Sequence, residues 1–270
     1  MFKLTNENYF SPEAQMKYMG VSQYKDFMDC PARALATVKG EYKPEMTKAM
    51  LVGSYIDSFF EGTLPQFMQE HPEIFNSRTG ELKADYQSAN FIIERIKADP
   101  LFMEYMSGRK QVIKTAKLFG TDWKIKIDSY HPGKKIVDLK IMRSLERIMG
   151  VSFVEHWEYD KQMAIYSEVE FLNQKRKNKQ RLETYLAVAT KEDPADLELI
   201  HIPLWRRTEC LEEIEKNMPR ILAYKSGELE APGCGVCPYC RSKKKLKAPI
   251  DFEQVGFSNK ELAAMNGKMF

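Results

Sequence analysis

Two short segments of this sequence alternate apolar and polar side chains: residues 124–130, KIKIDSY, and residues 135–141, KIVDLKI. This period of two predicts a pair of β-strands, because successive side chains on a strand point to opposite faces. Asp138 and Lys140 then share one face, and Leu139 lies on the other. If both apolar sets are buried on one face of the sheet, Asp128 joins Asp138 and Lys140 on the opposite face.

Pro132 and Gly133 lie between the two segments and test this register. A two-residue Pro-Gly hairpin would pair Asp128 with Val137 and would separate the two aspartates. Pro-Gly favours a type II turn, whose twist is unsuited to two-residue hairpins, so a loop with an odd number of residues is favoured. An odd loop places Asp128 opposite or diagonal to Asp138, in agreement with the apolar pattern.

Two neighbouring carboxylates repel each other unless a cation lies between them, and hard divalent cations prefer such oxygen ligands. The residues therefore indicate Mg²⁺ or Mn²⁺ at Asp128 and Asp138, with the main-chain carbonyl of Leu139 as a further ligand. Lys140 would orient or deprotonate an attacking water, or stabilise negative charge on a phosphate. The alternative is an ordinary amphipathic hairpin whose polar face is solvated.

The remaining patterns predict one domain of α/β or α+β class. Residues 1–108 are mainly helical in pattern, and a helix at 153–173 interrupts a series of strands. The strand patterns lie at 112–116, 123–128, 135–141, 182–189 and 197–202. Strands interrupted by a helix predict a mixed central sheet flanked by helices, within a core at 109–225. A cysteine knuckle with a basic run follows at 226–247, and a polar tail at 248–270.

The composition is that of a folded protein, with 43% hydrophobic residues among 270 and a formal net charge of +3. No apolar stretch is long enough to span a bilayer and no secretory signal is visible, so we expect a soluble cytoplasmic protein without a membrane partner. Two basic runs, at 173–181 and 241–247, could contact phosphates or form ordinary solvated surface.

Three of the five cysteines form a C-x2-C-x2-C knuckle at Cys234, Cys237 and Cys240. Thiolates at this spacing in a reducing compartment predict a metal site rather than disulfides. A fourth ligand must come from elsewhere in the chain, and Cys30, which precedes Pro31, is a candidate. Cys210 lies within a helical pattern and is expected to be a free thiol.

The spacing of the polar residues resembles the signature of RecB-type nucleases in the PD-(D/E)XK superfamily. Nine residues separate Asp128 from Asp138-Leu139-Lys140, and the Q-x3-Y motif of those enzymes matches Gln162 and Tyr166. Upstream, residues 53–57 (GSYID) and Glu61 resemble the helical motif that precedes the sheet. The resemblance covers roughly residues 22–240 and implies a restriction-endonuclease-like fold.

In that family the matching positions form the active site. The resemblance implies that Asp128, Asp138, Lys140, Gln162 and Tyr166 are catalytic. It also implies that Asp57 joins Asp128, Asp138 and the Leu139 carbonyl as a metal ligand, with Glu61 as a weaker candidate. Asp57 departs from the family pattern, which often has histidine there, but aspartate also binds hard cations.

Phage and prophage exodeoxyribonuclease VIII-like enzymes are similar to this sequence in motif order. They resect duplex DNA ends for a single-strand annealing protein, so the resemblance implies a metal-dependent exonuclease acting in recombination, in the host cytoplasm if phage-encoded. The alternatives are a non-catalytic, cluster-stapled nucleic-acid-binding module and a metalloenzyme whose cysteine site performs redox chemistry. The sequence does not predict an oligomeric state.

Iron-sulfur relatives of the RecB-type nucleases combine one N-terminal Cys-Pro with three C-terminal cysteines. The resemblance therefore implies a 4Fe–4S cluster bound by Cys30, Cys234, Cys237 and Cys240. The last interval between the cysteines is shorter here than is usual in those relatives, which leaves Zn²⁺ as the alternative.

Overall fold

A computed structural model of the protein describes residues 2–175, 178–246, 249–259 and 261–262. The chain forms two compact units, each assembled from segments that are distant in sequence. The first unit consists of Met1–Pro44, Lys117–Trp123 and Glu213–Phe270, and the second of Glu45–Ala116 and Lys124–Glu212.

Among the described residues, helices cover a larger share than strands. The α-helices in chain order are α1 Pro12–Lys17, α2 Val21–Asp29, α3 Pro31–Val38, α4 Lys48–Glu61, α5 Leu64–Glu70, α6 Ala84–Lys97, α7 Pro100–Met106, α8 Phe153–His156, α9 Tyr159–Leu172, α10 Leu204–Ser226 and α11 Pro238–Ser242. Two short 3-10 helices occupy Pro72–Ile74 and Phe252–Gln254.

Local signals explain the ends of the helices that matter for function. Thr47 precedes α4 and its hydroxyl accepts the N–H of Met50 at 3.2 Å, while Gly62 ends the helix with φ +82. These are the expected N-cap and left-handed C-terminal residues. Cys30 separates α2 from α3, because its extended backbone ends one helix and Pro31 starts the next.

The strands form two sheets. Their bounds are β1 Val112–Leu118, β2 Thr121–Ile127, β3 Ser129–His131, β4 Lys135–Met142, β5 Glu183–Thr190 and β6 Leu197–His201. The strands β1 and β2 pair with each other, and the other four follow the order β3-β4-β5-β6. In the four-stranded sheet β4 and β5 are parallel, whereas β3 with β4 and β5 with β6 are antiparallel. The chain must therefore cross over between β4 and β5, and α8 and α9 lie in that crossover. The predicted mixed sheet with an inserted helix is therefore confirmed.

The β3–β4 hairpin has the predicted register. Ser129 pairs with Val137 and His131 with Lys135, which leaves a loop of three residues, 132–134. Gly133 has φ +75, a conformation that glycine adopts without cost. Continued by one residue, this register places Asp128 opposite Asp138. The predicted strand at 123–128 differs in one respect. The strand is interrupted at Asp128, so that β2 before it and β3 after it belong to different sheets.

Both faces of β4 are buried. On one face Val137 and Leu139 pack in a core cluster with Ile56 of α4 and with Ile93 and Ile96 of α6. On the other face Asp138 is only 2% exposed, although its side chain is charged. The alternative of an amphipathic hairpin with a solvated polar face is therefore wrong.

Helix α9 provides the cover for this polar face. Residues 163–170 of α9 are all buried, including Glu168 and Glu170. Tyr130 of β3 donates a hydrogen bond to Glu170 Oε1 at 2.7 Å, and Gln162 reaches Asp138. A helix buried all round is typical of the centre of an α/β core.

The predicted single domain, with consecutive segments 1–108, 109–225, 226–247 and 248–270, stays a prediction. Positions 176–177 and 247 of the two basic runs lie outside the described residues, as do parts of the tail. Over the described ranges, no helix has the length and apolar character needed to cross a membrane.

Candidate active site

The β4 strand carries two of the predicted catalytic residues on its polar face. Lys140 Nζ forms an ion pair with Asp138 Oδ2, and both side chains are largely buried. Gln162 of α9 donates a hydrogen bond from Nε2 to Asp138 Oδ1 at 2.6 Å. Both carboxylate oxygens of Asp138 are therefore contacted by side chains that the sequence had singled out.

Asp128 lies at the break between β2 and β3, which turns its carboxylate toward the next strand. Its Oδ2 accepts the main-chain N–H of Leu139 at 3.0 Å. Its Oδ1 accepts a hydrogen bond from Gln111 Nε2 at 3.3 Å. The contact with Leu139 ties Asp128 directly to the segment that contains Asp138 and Lys140.

Helix α4 contributes two further carboxylates. Asp57 and Glu61 are one helical turn apart and therefore lie on the same face of α4. Both line a small cavity of about 10 Å³, together with Gln111, Asp128 and Leu139. That volume is about the size of a single water molecule or a small ion.

Among the residues that line the cavity, two side-chain oxygens lack a hydrogen-bond partner among the described residues. They are Asp57 Oδ1 and Gln111 Oε1, and both are buried. A third buried oxygen in this region, Asp138 Oδ2, has no hydrogen-bond partner in the described part of the chain but forms the ion pair with Lys140. A buried acceptor without a donor is costly, which favours a cation at this position. The surrounding donors are carboxylate, amide and main-chain oxygens, the set that Mg²⁺ and Mn²⁺ prefer. The residues present therefore fit a hard divalent cation.

The pKa values of the buried carboxyl groups indicate that negative charge is concentrated in this region. The pKa of Asp57 is raised to about 7, chiefly by burial; the charge of Lys140 opposes this increase, and the carboxylates of Glu61 and Asp138 contribute to it. Burial raises the pKa of Asp128 well above its ordinary value, and Asp138 adds to this increase. A divalent cation would stabilise the ionised forms of these groups.

Two opposing effects act on the pKa of Lys140. Burial lowers its pKa, but the carboxylates of Asp138 and Asp128 outweigh burial and raise it above the ordinary value. Its Nζ also lies 4.9 Å from the centre of the Tyr159 ring, within the range of a cation–π interaction. The ammonium group of Lys140 is therefore positioned both by the carboxylate of Asp138 and by the ring of Tyr159.

Tyr166 lies on α9 one turn after Gln162, and its side chain is buried, 9% exposed. The spacing places both residues on one face of the helix. Its catalytic role, like the roles of the other predicted residues, remains a prediction.

Sequence reasoning missed Gln111. Its backbone has φ +52, a left-handed conformation that is uncommon for a residue other than glycine, asparagine or aspartate. Strained residues of this kind often lie at functional sites. No periodic pattern or motif contains Gln111, so only its position beside Asp128 and the cavity brings it to notice.

The four predicted cysteine ligands come together in the first unit. The Sγ atoms of Cys30, Cys234, Cys237 and Cys240 all lie within 4.8 Å of one another. Cys210 is buried in α10 and is not part of this group. The arrangement can bind a metal ion through thiolates.

Of the basic run 173–181, Arg181 has an internal partner. Its Nε donates to Glu168 Oε2 of α9 at 2.7 Å. At least this residue serves the fold rather than an open phosphate-binding surface.

Comparison with known proteins identifies the family. A family model described as a PDDEXK-like domain of unknown function (DUF3799) matches residues 20–243. The chain therefore belongs to this family of PD-(D/E)XK-type nuclease domains. A search among curated proteins returned no match.

A solved structure is similar over nearly the whole chain. The crystal structure of a protein from Eubacterium rectale, provisionally named as an exonuclease, has 44% sequence identity and a TM-score of 0.89. The alignment covers 95% of this chain and 99% of that protein. The structure of SSO0001 aligns with 92% of this chain, but its 14% identity and TM-score of 0.33 are too low to support an argument.

Proposed function

We propose that this protein hydrolyses phosphodiester bonds in DNA and depends on Mg²⁺ or Mn²⁺. The observation that carries the proposal is the convergence of Asp57, Asp128 and Asp138 with Lys140 in one buried region. The cavity of about 10 Å³ beside them is lined by oxygen donors, two of which lack partners among the described residues. Membership of a PD-(D/E)XK-type family supports the same chemistry.

The cation would be held by the carboxylates of Asp57, Asp128 and Asp138 and by the carbonyl of Leu139. Glu61 and Gln111 are additional donors on the wall of the cavity. When bound, the cation would polarise the phosphodiester and lower the pKa of a water molecule. Removing one carboxylate would leave the others without their shared partner, so we expect these residues to act as a unit.

Three residues of the chain would position the reacting groups. Lys140 would orient the attacking water or stabilise the charge that develops on the phosphate. Gln162 holds Asp138 in place through the 2.6 Å hydrogen bond and thereby sets the direction of the second Asp138 oxygen. Tyr166, from the same helix face, would contact the substrate backbone.

More specifically, we propose that the protein is an exonuclease that resects duplex DNA ends for recombination in the cytoplasm. The support for this assignment is the resemblance to exodeoxyribonuclease VIII-like enzymes and the name of the Eubacterium rectale protein. The partners would be duplex DNA ends and a single-strand annealing protein.

The experiment compares linear, circular and nicked duplex DNA and single-stranded DNA, each with Mg²⁺, Mn²⁺ or EDTA. We expect degradation of linear duplex DNA only with a divalent cation. Lys140→Ala should lower the rate by at least about a hundredfold, because one electrostatic contact to developing charge contributes that much. Lys135→Ala is the matched control, since Lys135 is on the same strand but pairs with Glu104 at 3.0 Å.

Several outcomes would contradict the proposal. Wild-type protein that is inert on every substrate with both cations would indicate the non-catalytic binding module instead. Activity that survives Asp138→Ala but is lost in Cys237→Ala would indicate that the cysteine site performs the chemistry. Cleavage of circular DNA at the rate of linear DNA would exclude an exonuclease but not a nuclease.

A further inference from the structure

The spacing of the four cysteine sulphurs distinguishes between the two metals that the sequence leaves open. Cys30 Sγ lies 3.6 Å from Cys240 Sγ and 3.8 Å from Cys237 Sγ. Cys234 Sγ lies 3.9 Å from Cys240 Sγ. All four sulphurs lie within 4.8 Å of one another, so they form a compact group.

A single tetrahedral ion and a 4Fe–4S cluster require different spacings. Four thiolates at about 2.3 Å from one zinc ion are about 3.8 Å apart, by the geometry of a tetrahedron. In a 4Fe–4S cluster each thiolate binds a different iron, which puts the thiolate sulphurs about 6 Å apart. The observed distances match the single ion.

The backbone around the sulphurs favours the compact arrangement. Asn259 donates from its main-chain N–H to the Cys234 carbonyl at 2.7 Å and from Nδ2 to the Gly233 carbonyl at 2.8 Å. A Cβ on Gly233 would lie 3.0 Å from Cys240 Sγ. The chain thus approaches the sulphurs closely, and Asn259 holds the loop that carries Cys234.

Main-chain N–H groups also point at the sulphurs. The N–H of Cys234 donates to Cys30 Sγ at 3.4 Å, and that of Cys237 donates to Cys234 Sγ at 3.3 Å. Such outer contacts orient thiolate ligands in metal sites.

The geometry points to one tetrahedral zinc ion, bound by Cys30, Cys234, Cys237 and Cys240, in place of the 4Fe–4S cluster that the resemblance implies. Zinc suits a closed set of four thiolates and binds such sites more tightly than ferrous iron does. A closed set leaves no position for substrate, so the ion is structural. It joins two segments of the first unit, Cys30 and Cys234, that are 204 residues apart in sequence.

The test is metal analysis of the full-length protein, purified from cells supplied with both iron and zinc. One preparation excludes oxygen, because air can destroy a cluster and allow zinc to replace it. We expect about one zinc ion per chain in both preparations, with neither iron nor acid-labile sulfide. About four iron and four sulfide ions per chain in the oxygen-free preparation would overturn the proposal. One iron ion without sulfide, or no metal, would overturn it as well.

Cobalt substitution tests the geometry without any variant. Exchange of the bound ion for Co²⁺ should produce the visible bands of a tetrahedral site and a thiolate-to-cobalt charge-transfer band. A cobalt spectrum typical of six-coordinate oxygen ligands would contradict the assignment.

Cysteine variants then identify the ligands. Cys237→Ser should bind zinc at least about tenfold more weakly, whereas Cys210→Ser, the matched control, should retain the full amount. Unchanged zinc content and an unchanged cobalt spectrum in Cys237→Ser would refute the ligand set. None of these measurements uses nuclease activity, so they remain decisive even if the proposed function is wrong.

Discussion

Asp57 offers a sharp test, because the buried carboxylate should destabilise the metal-free protein. Burial raises its pKa to about 7 from an ordinary value of 3.8. One pKa unit corresponds to about 1.4 kcal/mol, so an ionised Asp57 costs the folded state at most about 4 kcal/mol. Asp57 as a whole residue is only partly buried, so solvent screens the charge in part and we expect a net cost of about 1–3 kcal/mol.

The cost of Asp57 depends on pH in a defined direction. The folded state holds the Asp57 proton more tightly than the unfolded state does. Its contribution to stability is therefore fully present below about pH 3.8 and is lost as the pH rises through about 7. Asp57→Asn cannot ionise, so in EDTA the variant should be more stable than wild type at about pH 8. At about pH 5 its advantage should be roughly a third as large.

The assay is urea unfolding in EDTA at both pH values, followed by addition of Mn²⁺. Wild-type protein should gain stability from Mn²⁺ by mass action, whereas Asp57→Asn should gain much less. Glu192→Gln is the control, because it makes the same carboxylate-to-amide change at an exposed position of the same unit. It should alter stability by less than about 0.5 kcal/mol at either pH.

Two results would contradict a destabilising role for the Asp57 carboxylate. One is a variant less stable than wild type in EDTA at about pH 8, which would mean that the Asp57 carboxylate is not penalised by burial. The other is a difference between variant and wild type that does not change with pH. A full Mn²⁺ response in the variant would instead exclude Asp57 as a ligand.

Two further substitutions test other parts of the structure. Gln162→Ala should lower metal affinity or activity by about 10–100-fold, because Asp138 loses its positioning hydrogen bond. Gln174→Ala is its control, since Gln174 makes the same 2.6 Å contact with Glu170, and equal losses in both would argue against positioning. Met149 is 92% exposed with φ +50, so Met149→Asn should raise the free energy of unfolding by about 0.5–1 kcal/mol. Met149→Val should be destabilising, because β-branched residues disfavour that conformation, and equal stability of the two variants would contradict this explanation.

Much of the hairpin could be predicted because its causes are local. The alternation in KIVDLKI assigns Asp138 and Lys140 to one face of β4, and the Pro132-Gly133 loop has the odd length that turn geometry favours. Both rest on interactions between residues close in sequence. The types of ligand, oxygen at the aspartates and sulphur at the cysteines, also follow from the residues themselves.

Other features of the site depend on segments far apart in sequence. The break at Asp128, the left-handed backbone of Gln111 and the burial of the β4 polar face under α9 leave no periodic signal. The alternation pattern shows that a face is polar, but not whether water or another helix covers it.

The strand faces, the register of the hairpin and the chemical character of the side chains at two candidate metal sites could therefore be predicted from local sequence. Tertiary structure alone decided that Asp57 and Gln111 meet Asp128 at a cavity, and that the four sulphurs lie close enough for a single ion. The two kinds of feature depend on interactions over different distances along the chain. Local periodicity specifies the direction of a side chain, whereas metal choice depends on distances of 1–2 Å that only the packing of distant segments determines.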